Sequence, residues 1–318
     1  MENKNSKQNY LTGAAILSIS TILVKIIGML YKIPLKRLIG DANFGYFNTA
    51  YDIYSVMLVV SVTGLPVAMS RLVSEAQALG NGRQVKRIYQ TSLLAYLVLG
   101  MLGSGIMMLF PRWLASTVMH NPGAYYSILA LSPAVLCICI ASACRGFFQG
   151  QGNMKPTAIS QVIEALCKLI LGLSLAWLVL RNTGDGPKAS GATILGVTVG
   201  SLLSAIYLVI ARRRAARELD SMGGKVRSVQ STMKALLAIA VPITIGAAGL
   251  QIIALIDSST VMSRMLSSAA TVQAGTDSVM GRLLAIADET GASVTLVGDT
   301  AQKGAVGRGG VLAMAKRY

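Results

Sequence analysis

Lys25, Glu164 and Lys168 are ionisable residues inside stretches otherwise apolar enough to cross a bilayer, and a charge in such a place is paired, snorkelled or functional. Lys25 lies about six residues, or roughly 9 Å, from the outer end of its stretch, so its stem could carry the ammonium out to the interface. Facing a hydrated cavity instead, that ammonium would attract a phosphate or pyrophosphate head group, because Coulomb attraction strengthens as the dielectric falls. Lys32, Lys36 and Arg37 follow within about three turns and read either as a cationic rim for the same anionic substrate or as a solvated face. Glu164 and Lys168 stand at i,i+4 with the glutamate N-terminal, the favourable order for a pair. Pairing makes the burial of both tolerable, so the two are expected to face the bundle, as a structural contact or as an ion or proton relay that opens during transport. Asp52 and Asp257 complete the candidate ion or proton relay; each is placed at the outer end of its stretch, where interface carboxylates are also common.

Other chemistries lack their parts. His120 is the one histidine, so neither a His-based metal site nor a Ser-His-Asp triad can be assembled. Cys137, Cys139, Cys144 and Cys167 all lie in apolar stretches without C-x-x-C spacing and read as small buried thiols. No G-x-x-x-x-G-K-[ST] occurs, so no complete P-loop is present, and ATP is not expected to drive this chain. No metal, no cofactor and no enzymatic reaction is expected; an ion gradient, the substrate gradient or the membrane potential would supply the driving force.

These residues must be positioned by membrane-spanning helices. The chain of 318 residues is 53% hydrophobic and only 13% charged, against about 25% charged in a soluble domain. With a 1.5 Å rise per residue and a hydrocarbon core about 30 Å thick, about 20 apolar residues make one crossing. Seven segments meet that test: Leu11 to Tyr31, Ile53 to Ser70, Ser92 to Phe110, Tyr125 to Cys144, Pro156 to Leu180, Ser190 to Ala211 and Ala235 to Leu255. Pro66 and Pro242 fall inside two of them and Gly196 and Gly200 form a G-x-x-x-G on another, features that permit kinks and close helix contact. The expected architecture is therefore an all-α polytopic membrane protein, with a six-helix lobe over residues 1–234 and a seventh spanning helix over 235–263.

The 29 Lys and Arg outnumber the 13 Asp and Glu, leaving a net charge of +16. They sit mainly between the apolar runs, not in one stripe, which argues for membrane topology and against a nucleic-acid partner. Most of them fall on one side if the N-terminus is cytoplasmic, Arg83, Lys86, Arg87, Arg145, Arg212 and Arg213 among them, so a multi-pass protein of the cell membrane with its N-terminus inside is expected. From Arg264 to Tyr318 the membrane pattern stops. Ser278 to Glu289 reads as an amphipathic helix stopped by Gly291, Ser293 to Val297 as a short buried strand and Gly298-Asp299 as a turn, a soluble α/β-like tail.

Several spaced motifs resemble one family. Leu23-Val-Lys-Ile-Ile-Gly-Met-Leu-Tyr-Lys-Ile-Pro-Leu-Lys-Arg-Leu-Ile-Gly40, Phe44-Gly-Tyr-Phe47 and Gly64-Leu-Pro-Val-Ala-Met-Ser-Arg71 look like the start of a polysaccharide flippase. They resemble the sporulation stage V protein B and MurJ-like branch of the multidrug/oligosaccharidyl-lipid/polysaccharide exporter superfamily. Arg145-Gly-Phe-Phe-Gln-Gly-Gln-Gly-Asn-Met-Lys-Pro-Thr-Ala158 is similar to that family's loop after span four, and Val241-Pro-Ile-Thr244 with Leu255-Ile-Asp257 to its seventh span. The resemblance covers about Leu11 to Leu266.

That resemblance implies two lobes arranged as a V that move lipid-linked sugar precursors, such as lipid II, across the membrane by alternating access. It implies a lipid-linked sugar pyrophosphate as substrate, held by basic residues of the cavity, with membrane lipids as the other partner. Lys25 and Lys32 fall near the corresponding first-span positions, as point charges where the family often has a forked Arg. The cavity arginine that MurJ-type members carry in span two has no counterpart between Ile53 and Ser70, which favours the sporulation-type branch. A cation-coupled multidrug antiporter of the same superfamily is the alternative, and it would rely on Asp52, Glu164 or Asp257. The family has twice as many spans, so the chain is expected to supply its N-terminal half. Val294-Thr-Leu-Val-Gly-Asp-Thr-Ala-Gln302 resembles the V-G-D-x-x-Q motif of RecD- and relaxase-type helicases, so a fusion or sequence-assembly junction is expected near residues 258–275, with a nucleotide-binding tail as a third possibility.

Overall fold

In the computed structural model the backbone is described for residues 2–219 and 223–290, and side chains for that range outside residues 2–12, 14, 60–61, 216–219 and 261–290. Within it the apolar segments become long helices, because a backbone in hydrocarbon must satisfy its own N–H and C=O groups. They are α1 (Glu2–Ile39), α2 (Asp41–Val62), α3 (Gly64–Ala78), α4 (Gly82–Leu109), the single turn α5 (Pro111–Trp113), α6 (Tyr125–Gly150), α7 (Lys155–Thr183), α8 (Gly186–Leu219) and α9 (Val229–Thr290). Among the described residues seven stretches are long and apolar enough to span: Ala15–Ile39, Asp41–Ala78, Gly82–Leu109, Pro122–Gly150, Lys155–Thr183, Gly186–Ala215 and Val229–Thr260. Each contains or overlaps one of the segments expected from hydropathy. The protein is an all-α polytopic membrane protein.

The helices run past the apolar segments that announce them, since hydropathy marks the hydrocarbon core while a helix continues into the interface until a turn residue stops it. Ile53 to Ser70 is also not one rod. It belongs to α2 and α3, which meet at Thr63, just before Pro66, a residue with no N–H to give to the preceding turn. Gly64 at this bend lies so close to α9 that a Cβ would collide with the carbonyl of Ala240. Pro242, by contrast, lies inside α9 without ending it.

The chain divides into two compact units, residues 1–256 and 257–318. The first holds two apolar clusters that share α6. One gathers Tyr31, Phe47, Met107, Ile128, Leu131 and Ile194; the other gathers Met69, Tyr96, Phe147, Phe148, Leu208 and Leu236. α6 is the most buried span because its run Ala141-Ser142-Ala143-Cys144 lets neighbouring helices come close. Cys139 and Cys144 are buried there as free thiols, while Cys137 and Cys167 are half-buried. In the second unit the described part is the end of α9, Asp257–Thr290, which includes the helix expected over Ser278 to Glu289; Gly291, its expected stop, lies outside the described residues. The expected strand Ser293 to Val297, the turn after it and the V-G-D-x-x-Q stretch lie outside the described residues.

Both ends of the first unit are tied by loop contacts. At one end Asn81 caps α4 by accepting from the Gln84 N–H at 3.0 Å, and its amide donates to the Lys225 carbonyl at 2.6 Å. The Gln84 side chain accepts from the Arg227 N–H at 2.8 Å, and Arg227 also meets Glu75 at 3.8 Å. The α3–α4 turn and the α8–α9 linker therefore share one end of the bundle, as the parity of crossings requires. At the other end Asn121 donates to Thr49 at 3.0 Å. Asn81→Ala removes a cap and a linker contact together and is expected to lower stability by about 1–2 kcal/mol, read as a fall in the thermal unfolding midpoint in detergent. An unchanged midpoint would show that the linker is not held there.

Candidate functional site: a cationic cavity on α1, α6 and α7

α1 lies along α7, where Ser20 donates to the Ala158 carbonyl at 3.1 Å. Between these helices and α6 opens a cavity of about 370 Å³. Lys25 and Tyr31 reach it from α1, Arg145 from α6, and Gln161, Glu164 and Lys168 from α7. Three cations and one carboxylate thus line a single space.

Arg145 is the organising residue. Its Nε donates to Ser160 Oγ at 3.1 Å, and its Nη2 donates to Glu164 Oε2 at 3.0 Å and to Ser204 Oγ at 3.1 Å, so one guanidinium joins α6, α7 and α8. The Arg145 and Glu164 side chains are only 15% and 24% exposed, so the pair is charge-assisted and largely shielded from screening. Ser160 is itself fixed by donating to the Thr157 carbonyl at 2.7 Å. Lys168 is held differently. Its ammonium lies 5.0 Å from the Tyr31 ring centroid and 4.6 Å from that of Tyr51, within cation–π range of both faces. Those rings belong to an aromatic ladder, with Tyr31 6.0 Å and Tyr51 4.7 Å from Phe47, centroid to centroid. Tyr31 Oη and Gln161 Oε1 are buried with no hydrogen-bond partner among the described residues.

The backbone beneath this site depends on the G-x-x-x-G of α8. A Cβ on Gly196 would collide with the Gly172 backbone, and one on Gly200 would come to 2.9 Å from the Glu164 carbonyl and 3.1 Å from Cys167 Cβ. Only glycine allows α8 this close to the face of α7 that carries Glu164 and Lys168.

The residues singled out from the sequence have separate fates. Lys25 lines the cavity, whereas Lys32 is exposed on α1 and does not line it. Lys36 points to an exposed ion pair with Asp41 at 3.3 Å, and Arg37 is exposed on the last turn of α1, so neither joins the cavity wall. Asp52 is half-buried and lies well inside α2, because that helix starts at Asp41 and extends beyond the apolar run that placed Asp52 at an end. Asp257 is exposed and belongs to the second unit.

Two expectations are corrected. Glu164 and Lys168 are brought to one cavity, but Glu164 pairs with Arg145, and no ion pair joins it to Lys168 among the described residues. Proximity along one helix worth a few tenths of a kcal/mol gives way to a forked guanidinium arriving from a neighbouring helix. Arg145, placed in a cytoplasmic loop, is a helical residue of the cavity because α6 runs on to Gly150. The missed signal was local: after Arg145 the apolar pattern resumes with Phe147 and Phe148, both buried, before the turn at Gly152.

Comparison with known proteins fits this architecture. The family described as polysaccharide biosynthesis protein matches residues 10–291. Stage V sporulation protein B of Bacillus subtilis is 32% identical over 205 residues, covering 64% of this chain and 39% of that protein. Lipid II flippase MurJ of Bacillus subtilis is 30% identical over 210 residues, covering 62% of this chain and 39% of that protein. The chain therefore spans about four tenths of the length of these curated relatives. The solved eukaryotic MATE transporter AtDTX14 is similar in fold, with a TM-score of 0.58 at 18% identity over 83% of this chain and 62% of that one. Because the family match takes in every spanning helix described above, this chain belongs to the polysaccharide biosynthesis protein family.

Proposed function

We propose that this chain is part of a membrane flippase that moves lipid-linked oligosaccharide or peptidoglycan precursors across the cytoplasmic membrane by alternating access, with its N-terminus cytoplasmic. One observation carries the reading: the cavity walls hold Lys25, Arg145 and Lys168 against Glu164 alone. The excess of two positive charges matches the two negative charges of a diphosphate that joins a lipid to a sugar. At an effective dielectric of about 20, a unit-charge contact at 4 Å is worth about 4 kcal/mol, enough to repay partial desolvation of a phosphate. Tyr31 Oη and Gln161 Oε1 add an unused donor and acceptor beside those charges. The family's description as polysaccharide biosynthesis protein and the relative named as a lipid II flippase support this substrate class, and the lipid portion would remain with the surrounding membrane lipids. An ion gradient or the membrane potential supplies the driving force in this reading.

Lys25→Ala tests it, because Lys25 is exposed, lines the cavity and makes no side-chain hydrogen bond or ion pair to another element among the described residues. Movement of lipid-linked sugar in reconstituted vesicles is expected to fall about tenfold or more, the effect of losing roughly 1.4 kcal/mol of binding, while the unfolding midpoint stays unchanged. Unaltered precursor movement sinks the reading. Retained drug export beside lost precursor movement separates it from the antiporter alternative, in which Glu164 is the one candidate carboxylate that reaches the cavity.

A further inference from the structure

The two inner cations of the cavity are held unequally. Arg145 has a carboxylate and two hydroxyls, whereas Lys168 has ring faces and, among the described residues, no carboxylate within ion-pair distance. A ring face attracts an ammonium but accepts none of its three N–H groups as a carboxylate does. Glu164 precedes Lys168 by one helical turn, about 6 Å along the axis and on the same face of α7. Its carboxylate therefore has a second cation within reach of a rotamer change. Arg145 does not depend on Glu164 alone for its position, since Ser160 of α7 and Ser204 of α8 also hold it.

We propose that Glu164 is a resident counter-ion that an incoming diphosphate displaces from Arg145, and that Lys168 receives the displaced carboxylate. This rests on reading the cavity as a diphosphate site and adds a device that sets its specificity. A doubly charged anion engages Arg145 and Lys25 together and frees Glu164, whose charge would be stranded in low dielectric without a new partner. Lys168 provides that partner, so no proton has to move. A neutral or cationic molecule has nothing with which to displace Glu164, and the network stays closed to it. Glu164 and Lys168 are thus specificity-determining residues, the first as competitor and the second as acceptor of the competitor.

The experiment measures binding of a water-soluble short-chain prenyl-diphosphate sugar to the full chain in lipid nanodiscs by calorimetry. Glu164→Gln removes the competitor and is expected to bind about tenfold tighter, and Lys168→Met about tenfold weaker, within the range of about 5–150-fold usual for coupled sites. In the Glu164→Gln background, Lys168→Met is expected to cost no more than about threefold, because no carboxylate then needs a place to go. Glu164→Gln that binds no tighter, or two substitutions that combine additively, overturns the exchange while leaving the diphosphate site standing. A parent chain that binds no diphosphate, or binds it equally after Lys25→Ala, overturns the site itself. A second readout covers a Lys168→Met that fails to fold: the difference infrared spectrum on adding the diphosphate is expected to show a shifted carboxylate band in the parent chain that is missing from Glu164→Gln. Identical difference spectra for the two overturn the exchange.

Discussion

Arg145→Ala is expected to destabilise the protein by about 1.5–3 kcal/mol, because it removes the charge-assisted hydrogen bonds that join α6, α7 and α8, while Lys168 takes up the freed Glu164 carboxylate. Ser160 and Ser204 lose the guanidinium as well, so contacts from α7 and α8 are released together. The measurement is the thermal unfolding midpoint in detergent, with precursor movement in vesicles as the second readout. Precursor movement is expected to be abolished. Arg145→Ala combined with Lys168→Met is expected to cost about 3–5 kcal/mol, because only then is the Glu164 carboxylate stranded without a cation. Arg145→Lys keeps the charge but not the fork, so it is expected to hold Glu164 and release at least one serine. A fall of less than 1 kcal/mol for Arg145→Ala would show that this pair is solvated, and the cavity could then not work as a low-dielectric site.

Gly196→Leu is the second large effect. Its Cβ would meet the Gly172 backbone, and a backbone cannot turn aside as a flexible side chain does. The helices α7 and α8 must separate, at a cost of about 1–3 kcal/mol or more for overpacking a filled interface. Gly196→Ala is expected to show a smaller form of the same loss. The separation also strains the Arg145 network, which joins Glu164 of α7 to Ser204 of α8. Precursor movement is therefore expected to fall in step with the unfolding midpoint. A leucine accepted without loss of either would mean that α7 and α8 do not approach this closely.

How far the site could be read in advance depends on the range of each signal. Lys25 was legible as a cavity candidate because a cation in the middle of an apolar run is a local anomaly. Asp52 was misplaced by the same local logic, since the end of an apolar run is not the end of a helix and α2 starts at Asp41. Lys36 and Arg37 looked like part of one rim with Lys25, yet Lys36, though on nearly the same face, lies about 16 Å further along α1, and Arg37 is turned about 120° away, so neither lines the cavity. The i,i+4 spacing of Glu164 and Lys168 placed both on one face correctly and paired them wrongly. Arg145 is 19 residues from Glu164 in the chain, and nothing in either segment announces that they meet.

The sequence by itself determined the class of this protein, the seven spanning stretches of its described residues, the burial of Cys139 and Cys144 though not of Cys137 and Cys167, and the presence of charge within the membrane region, because hydropathy and helical period are sums over neighbours in the chain. The tertiary structure alone decided which charges meet: the Arg145 fork on Glu164, the aromatic bed of Lys168, and the approach of α8 that Gly196 and Gly200 permit. In hydrocarbon each helix satisfies its own backbone, so its formation is local, whereas a buried charge must find its partner on whichever helix packing brings beside it.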